Sequence, residues 1–161
     1  MKKLKKLFQK DSVFTSEATD RVELFTEIYE KLRIQGLVTG DFLNQVIARE
    51  ENFPTGLSSK NLGPDLPNIA VPHTEGQFVN EQLIVPVKLL NTVQFKSMVN
   101  PEQNLDVGFI FMILDTKPDG QAELLAKIMN FLGKASEEQL RTLLNLTDPV
   151  AIYYFLEENF A

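Results

Sequence analysis

Apolar positions change period along this chain, and the changes mark its elements. From Val22 they recur through Phe25, Ile28, Tyr29 and Leu32 with polar residues between, the spacing of one face of a helix. That helix is expected to start near Ser16 and to stop at Gly36. A short strand over 12–15 should precede it. A second helix is predicted from about Asp41, with Phe42, Val46 and Ile47 inward, and Pro54 should end it by Phe53. Gly, Ser, Asn and Pro crowd 55–68, which reads as a loop. Ile69, Ala70 and Val71 then form a short apolar run broken at Pro72. It reads as a buried strand whose C-terminal end delivers His73 to a loop.

The second half alternates differently. Strands are expected over 83–90 and 107–114, the latter almost continuously apolar, as in a central strand covered on both faces. Residues 93–97 are expected to pair at an edge. Leu124, Leu125, Ile128, Met129 and Leu132 form a helical stripe that Gly133 should close. Ser136 with Gln139 has the capping-box pattern, and Asp148 before Pro149 reads as N-cap and first residue of a last helix. Strands interleaved with helices predict an α/β fold: one domain over 1–161, a mixed sheet between helices, and a loosely ordered stretch over 1–10. The hairpin-like spacing after residue 83 argues against a purely parallel sheet.

Composition narrows the function. With 161 residues, 43% hydrophobic and 24% charged, the chain can bury a proper core. It has no cysteine, which excludes disulfides, thiolate metal sites and cysteine nucleophiles. One histidine is too few for an ordinary zinc site, so neither metal nor cofactor is expected. The net charge of −6 lacks the basic footprint of a nucleic-acid binder. Lys2, Lys3, Lys5 and Lys6 form the one basic cluster, but no apolar h-region follows and no run is long enough to span a bilayer. A cytoplasmic location without membrane insertion is expected.

The candidate chemistry gathers at His73. A lone histidine is as a rule structural, but this one lies just past a buried strand, held by a preceding proline, where α/β sheets place ligands. A neutral imidazole titrating near 6.5 is a competent nucleophile, able to accept a phosphoryl unit and pass it on. Such transfer asks for stabilised equatorial oxygens, which an arginine supplies by bidentate bonding. Arg49 is the candidate, the alternative being a surface pair with Glu50 or Glu51. There is no Gly-x-Ser-x-Gly elbow, P-loop or Gly-x-Gly-x-x-Gly fingerprint.

The segments Ile47-Ala48-Arg49-Glu50, Phe53-Pro54-Thr55-Gly56-Leu57 and Ile69-Ala70-Val71-Pro72-His73-Thr74-Glu75 together resemble the signature of the fructose/mannitol-type IIA family of the phosphoenolpyruvate-dependent phosphotransferase system. The likeness covers most of residues 12–158. It implies a five-stranded mixed sheet, phosphorylation on His73, and an active-site role for Arg49. It also implies partners: the carrier HPr as donor, a IIB component as acceptor, and a membrane IIC transporter downstream. Many mannitol and fructose members have a second active-site histidine where this chain has Gln121, so the galactitol-type branch is the better resemblance. Glu50, Glu51, Glu75, Thr55 and Gln121 are the candidate partner-side residues, the three glutamates as acidic groups aiding encounter. The 58–67 loop is longer than the family pattern. A regulatory, nitrogen-type IIA whose phosphorylation state controls a binding partner is the alternative function.

Overall fold

A computed structural model describes residues 6–160. Five strands, β1 (Phe14–Ser16), β2 (Gly56–Leu57), β3 (Asn68–Ala70), β4 (Leu83–Lys96) and β5 (Asn104–Leu114), form one sheet in the order β1-β4-β5-β3-β2. The pairs β1·β4 and β3·β5 are parallel, whereas β2·β3 and β4·β5 are antiparallel. Five helices complete the domain: α1 (Arg21–Ile34), α2 (Phe42–Asn52), α3 (Gly120–Lys134), α4 (Glu137–Asn145) and α5 (Pro149–Asn159). The mixed sheet between helices is therefore as expected.

The pleat of β5 explains its unbroken apolar run. Ile110, Met112 and Leu114 face a core shared with Leu24, Phe25 and Ile28 of α1 and Phe42 and Val46 of α2. Phe109, Phe111 and Ile113 face a second core with Leu124 and Ile128 of α3, Leu140 and Leu143 of α4, and Ile152 and Leu156 of α5. Each fully buried side chain of this size contributes about 1.5–3 kcal/mol. Both faces are covered, so no polar side of the strand is needed.

Several boundaries differ from the sequence reading. Ser16 ends β1, and α1 starts after Asp20, whose carboxylate accepts from Glu23 N at 2.9 Å. Val22, expected inward, is 55% exposed, and Leu24 takes the buried position. The expected edge segment 93–97 belongs mostly to β4, which bulges after Lys88 and resumes pairing with β5 at Val93. The 55–68 segment contains β2. Gly133 does not close α3, which runs to Lys134 and ends at an extended Ala135; Met129 on its outer side is exposed. The capping box at Ser136 and the Asp148–Pro149 start are both present.

The stretch over 1–10, expected to be loosely ordered, is packed against the domain from Leu7 onward. Phe8 is buried against the Phe160 ring at 4.9 Å, Ile84 N donates to Leu7 O at 2.7 Å, and Lys10–Ser12 forms a 3-10 turn. These contacts close the second core. Lys2, Lys3 and Lys5 lie outside the described residues.

Candidate functional site

Two segments that are distant in sequence meet at one end of the sheet. The first is the last turn of α2, which carries Arg49 and Glu50. The second is the segment leaving β3, where Pro72 O accepts from Ile113 N at 3.0 Å and His73 forms a bridge with Ile113. This last rung to β5 holds the backbone on either side of the imidazole. Arg49, His73, Thr74, Glu75, Gly76, Gln77, Thr116, Pro118 and Gln121 line an open cleft of about 550 Å³.

The His73 ring is anchored on one nitrogen. Nδ1 lies 2.9 Å from Val71 O. A carbonyl oxygen can only accept, so Nδ1 carries the proton, and Nε2 keeps its lone pair in the neutral ring. Burial pushes the imidazole below its ordinary 6.5; the bond to Val71 O opposes this, and the charge of Arg49 adds to it. The ring is thus held neutral at physiological pH with a basic nitrogen available.

Arg49 makes no ion pair with either neighbouring glutamate: among the described residues the one salt bridge is Arg141–Glu137. Its Nε is buried without a hydrogen-bond partner, and its guanidinium lies 5.0 Å from the centre of the Phe53 ring. A buried, unmet donor is costly, about 1–3 kcal/mol. Such a group at a cleft is suited to an anionic acceptor from outside.

The other candidates fall into two groups. Glu51 and Glu75 are exposed, and Glu75 lines the cleft. Glu50 and Thr55 are only 3% exposed, so neither presents a side chain to solvent and Glu50 is not an acidic group on the docking face. Glu50 Oε2 accepts from Thr55 N and Oε1 from Thr55 Oγ1, both at 2.7 Å. Burial raises the Glu50 carboxyl from 4.5 to about 7, against the Thr55 bonds and the charge of Arg21. Gln121 lines the cleft, but its amide donates to Asp115 O at 2.9 Å, fixing the first turn of α3 to the end of β5. The 58–67 loop lies away from the cleft: Ser59 Oγ donates to Leu66 O at 2.8 Å, and Arg141 of α4 donates to Pro64 O at 3.1 Å.

Sequence reasoning missed the far wall of the cleft. Gly76 sits so close to the chain after β5 that an added Cβ would lie 2.5 Å from Thr116 O. Only glycine permits that approach, which brings Thr116 and Pro118 to the cleft. A glycine three residues after His73 was the available signal. A second cleft, lined by Gln45, Ala48, Asn52, Phe53 and Phe78, shares Arg49, Thr74 and Glu75 with the first.

No helix among the described residues is long and apolar enough to cross a membrane. No group of three or more His, Asp or Glu among them could hold a metal ion.

The chain belongs to the family described as "Phosphoenolpyruvate-dependent sugar phosphotransferase system, EIIA 2", whose model matches residues 6–159. It is thus an EIIA component, a phosphocarrier of that system. The galactitol-specific EIIA component of Escherichia coli K12 is 26% identical over 137 residues, 84% of this chain and 85% of the relative. The crystal structure of the E. coli mannitol IIA protein has a TM-score of 0.71 at 19% identity, covering 96% of this chain and 99% of that one. The same IIA in complex with phosphorylated enzyme IIB for mannitol has a TM-score of 0.70 at 18% identity, covering 92% and 95%. The nitrogen regulatory protein IIA-Ntr of Neisseria meningitidis has a TM-score of 0.67 at 21% identity, covering 93% and 96%.

Proposed function

We propose that His73 accepts the phosphoryl group on Nε2 from HPr and delivers it to a IIB component of the galactitol type, in the cytoplasm, with Arg49 steadying the group in transit. The observation that carries this reading is the Nδ1–H bond to Val71 O, which leaves Nε2 as the basic nitrogen of a ring in the same cleft as an unpartnered Arg49 donor. The Nε2 lone pair attacks phosphorus, and the bond from phosphorus to the donor nitrogen breaks, with its electron pair staying on the donor. The His73 ring gains positive character, which the Val71 carbonyl stabilises through the proton already on Nδ1. No proton has to move in either direction, so the same geometry serves acceptance and delivery. The Arg49 guanidinium stabilises the equatorial oxygens when charge spreads over them.

Galactitol is supported by the 26% identity to the galactitol-specific relative and by Gln121 at the position of the second histidine. A role for IIB is supported by the family and by the mannitol IIA complex, which holds a phosphorylated IIB. The test combines phosphoenolpyruvate, enzyme I and HPr with this protein, then adds galactitol-type or mannitol-type IIB. Phosphate should appear on this protein and move faster to the galactitol-type IIB. Absence of phosphorylation refutes the carrier chemistry proposed for His73. Phosphorylation without onward transfer to any IIB favours the regulatory alternative.

A further inference from the structure

We propose that Glu50 is a positioning residue for the phosphoryl carrier: from inside the protein it ties the turn after α2 to the strand that carries His73, and so keeps the imidazole in its Nδ1–H form. This inference rests on the reading of His73 as the phosphorylated residue.

The connection can be followed atom by atom. Glu50 Oε1 and Oε2 hold Thr55 by its hydroxyl and its backbone N–H. Thr55 O accepts from Val71 N at 3.3 Å. Val71 O accepts from His73 Nδ1 at 2.9 Å. Glu50 therefore lies three hydrogen-bonded steps from the reacting ring. It is also the immediate neighbour of Arg49 on the last turn of α2, where Phe53 N donates to Arg49 O at 2.7 Å. One buried side chain thus connects the segment that carries Arg49 with the segment that carries His73.

The sheet alone holds the β2 side of this connection weakly, whereas β3 is anchored to β5. β2 and β3 are joined by two residue pairs, Gly56 with Ala70 and Leu57 with Ile69, and β2 lies at the edge of the sheet. A two-residue edge strand has little intrinsic stability. Two short hydrogen bonds to a carboxylate are each stronger than an ordinary ladder bond. The burial of a carboxylate, which burial itself disfavours, is otherwise unexplained, because Glu50 touches neither the cleft nor a cationic partner at ion-pair distance. Proper placement of Val71 O decides which ring nitrogen holds the proton, since the tautomer follows the hydrogen bond that the other nitrogen makes.

The test compares Glu50→Gln with Glu50→Ala in the full chain. An amide can still accept from Thr55 N and donate to Thr55 Oγ1, so Glu50→Gln keeps both contacts without charge. Two readouts are taken: ¹⁵N shifts of the His73 ring in the unphosphorylated protein at pH 7.5, and the second-order rate of transfer from phosphorylated HPr. Glu50→Gln should keep the Nδ1–H signature and a rate within threefold of wild type. Glu50→Ala should show a mixed tautomer and a rate lowered at least 30-fold. Should Glu50→Ala fail to fold, Thr55→Val against Thr55→Ser tests the hydroxyl half of the connection: valine loses the contact to Oε1, serine retains it, and the backbone N–H donates in both. Wild-type ring shifts or a wild-type rate in Glu50→Ala, or in Thr55→Val where it replaces it, overturn the proposal. If the wild-type protein takes no phosphate on His73, the carrier reading fails, while the ring shifts still decide the role of Glu50.

Discussion

Replacing Arg49 should separate function from stability, because the residue is poorly satisfied by the protein itself. Arg49→Ala removes a buried Nε with no partner, which by itself favours the folded state by about 1–3 kcal/mol. It also removes the guanidinium from the Phe53 ring, 5.0 Å away, worth about 0.5–1 kcal/mol at a site as exposed as Phe53. The first outweighs the second by about 0–2.5 kcal/mol, so the melting temperature should be unchanged or raised by up to about 10 °C, given about 2–4 °C per kcal/mol for a chain of this length. The transfer step has no such compensation. Loss of one preorganised donor to a charge-dispersed transition state costs about 3 kcal/mol, roughly a 100-fold fall in rate. Arg49→Lys should recover only part of this, since an ammonium supplies a point charge and not a planar fork. Rapid-quench measurement of transfer from radiolabelled phospho-HPr, beside thermal unfolding of the same samples, decides the matter. Transfer within threefold of wild type in both variants would refute the reasoning. So would a loss of transfer that merely tracks a loss of folded protein.

Three further outcomes are expected. Burial lowers the His73 pKa below 6.5, so the fall in transfer rate on acidification, as Nε2 is protonated, should have its midpoint below pH 6.5; a midpoint above 6.5 contradicts this. Glu50 has its folded-state pKa raised from 4.5 to about 7, so it favours folding fully below pH 4.5, and that contribution disappears as pH rises through 7. Glu50→Gln should therefore gain stability relative to wild type by up to about 3 kcal/mol between pH 4.5 and pH 8 in urea unfolding, and a difference independent of pH refutes it. Exposed Glu51 and Glu75 should speed encounter with a basic partner face, so transfer from phospho-HPr should slow as salt rises and Glu51→Gln with Glu75→Gln should flatten that dependence, whereas Glu50→Gln should not. Equal flattening by all three would mean that total charge, not location, governs the encounter.

The architecture was legible where periodicity has a single physical cause. The unbroken apolar run of β5 fits a strand covered on both faces, and Pro54, Ser136 and Asp148 act through local backbone chemistry that needs no tertiary information. Boundaries failed where two choices fit the same period. Val22 and Leu24 both suit a helical stripe, and only the packing of α1 in the first core decides that Leu24 is inside. Gly133 could end a helix, but Ala135 turns the chain in extended conformation instead, leaving the glycine as a tolerated helical residue. At the site, His73 and Arg49 were visible because their chemistry is distinctive. The role of Glu50 was not, because a glutamate reads as solvated until the Thr55 turn is seen to fold over it. The wall formed by Thr116 and Pro118 was equally hidden, since it depends on a close approach across Gly76.

The central claim is that phosphate resides on Nε2 of His73, and ¹H–¹⁵N–³¹P correlation spectra of the protein phosphorylated through HPr test it most directly. The account predicts coupling of phosphorus to Nε2, a retained proton on Nδ1, and no phosphate in His73→Ala. Phosphorus coupled to Nδ1, or phosphate retained in His73→Ala, would contradict it.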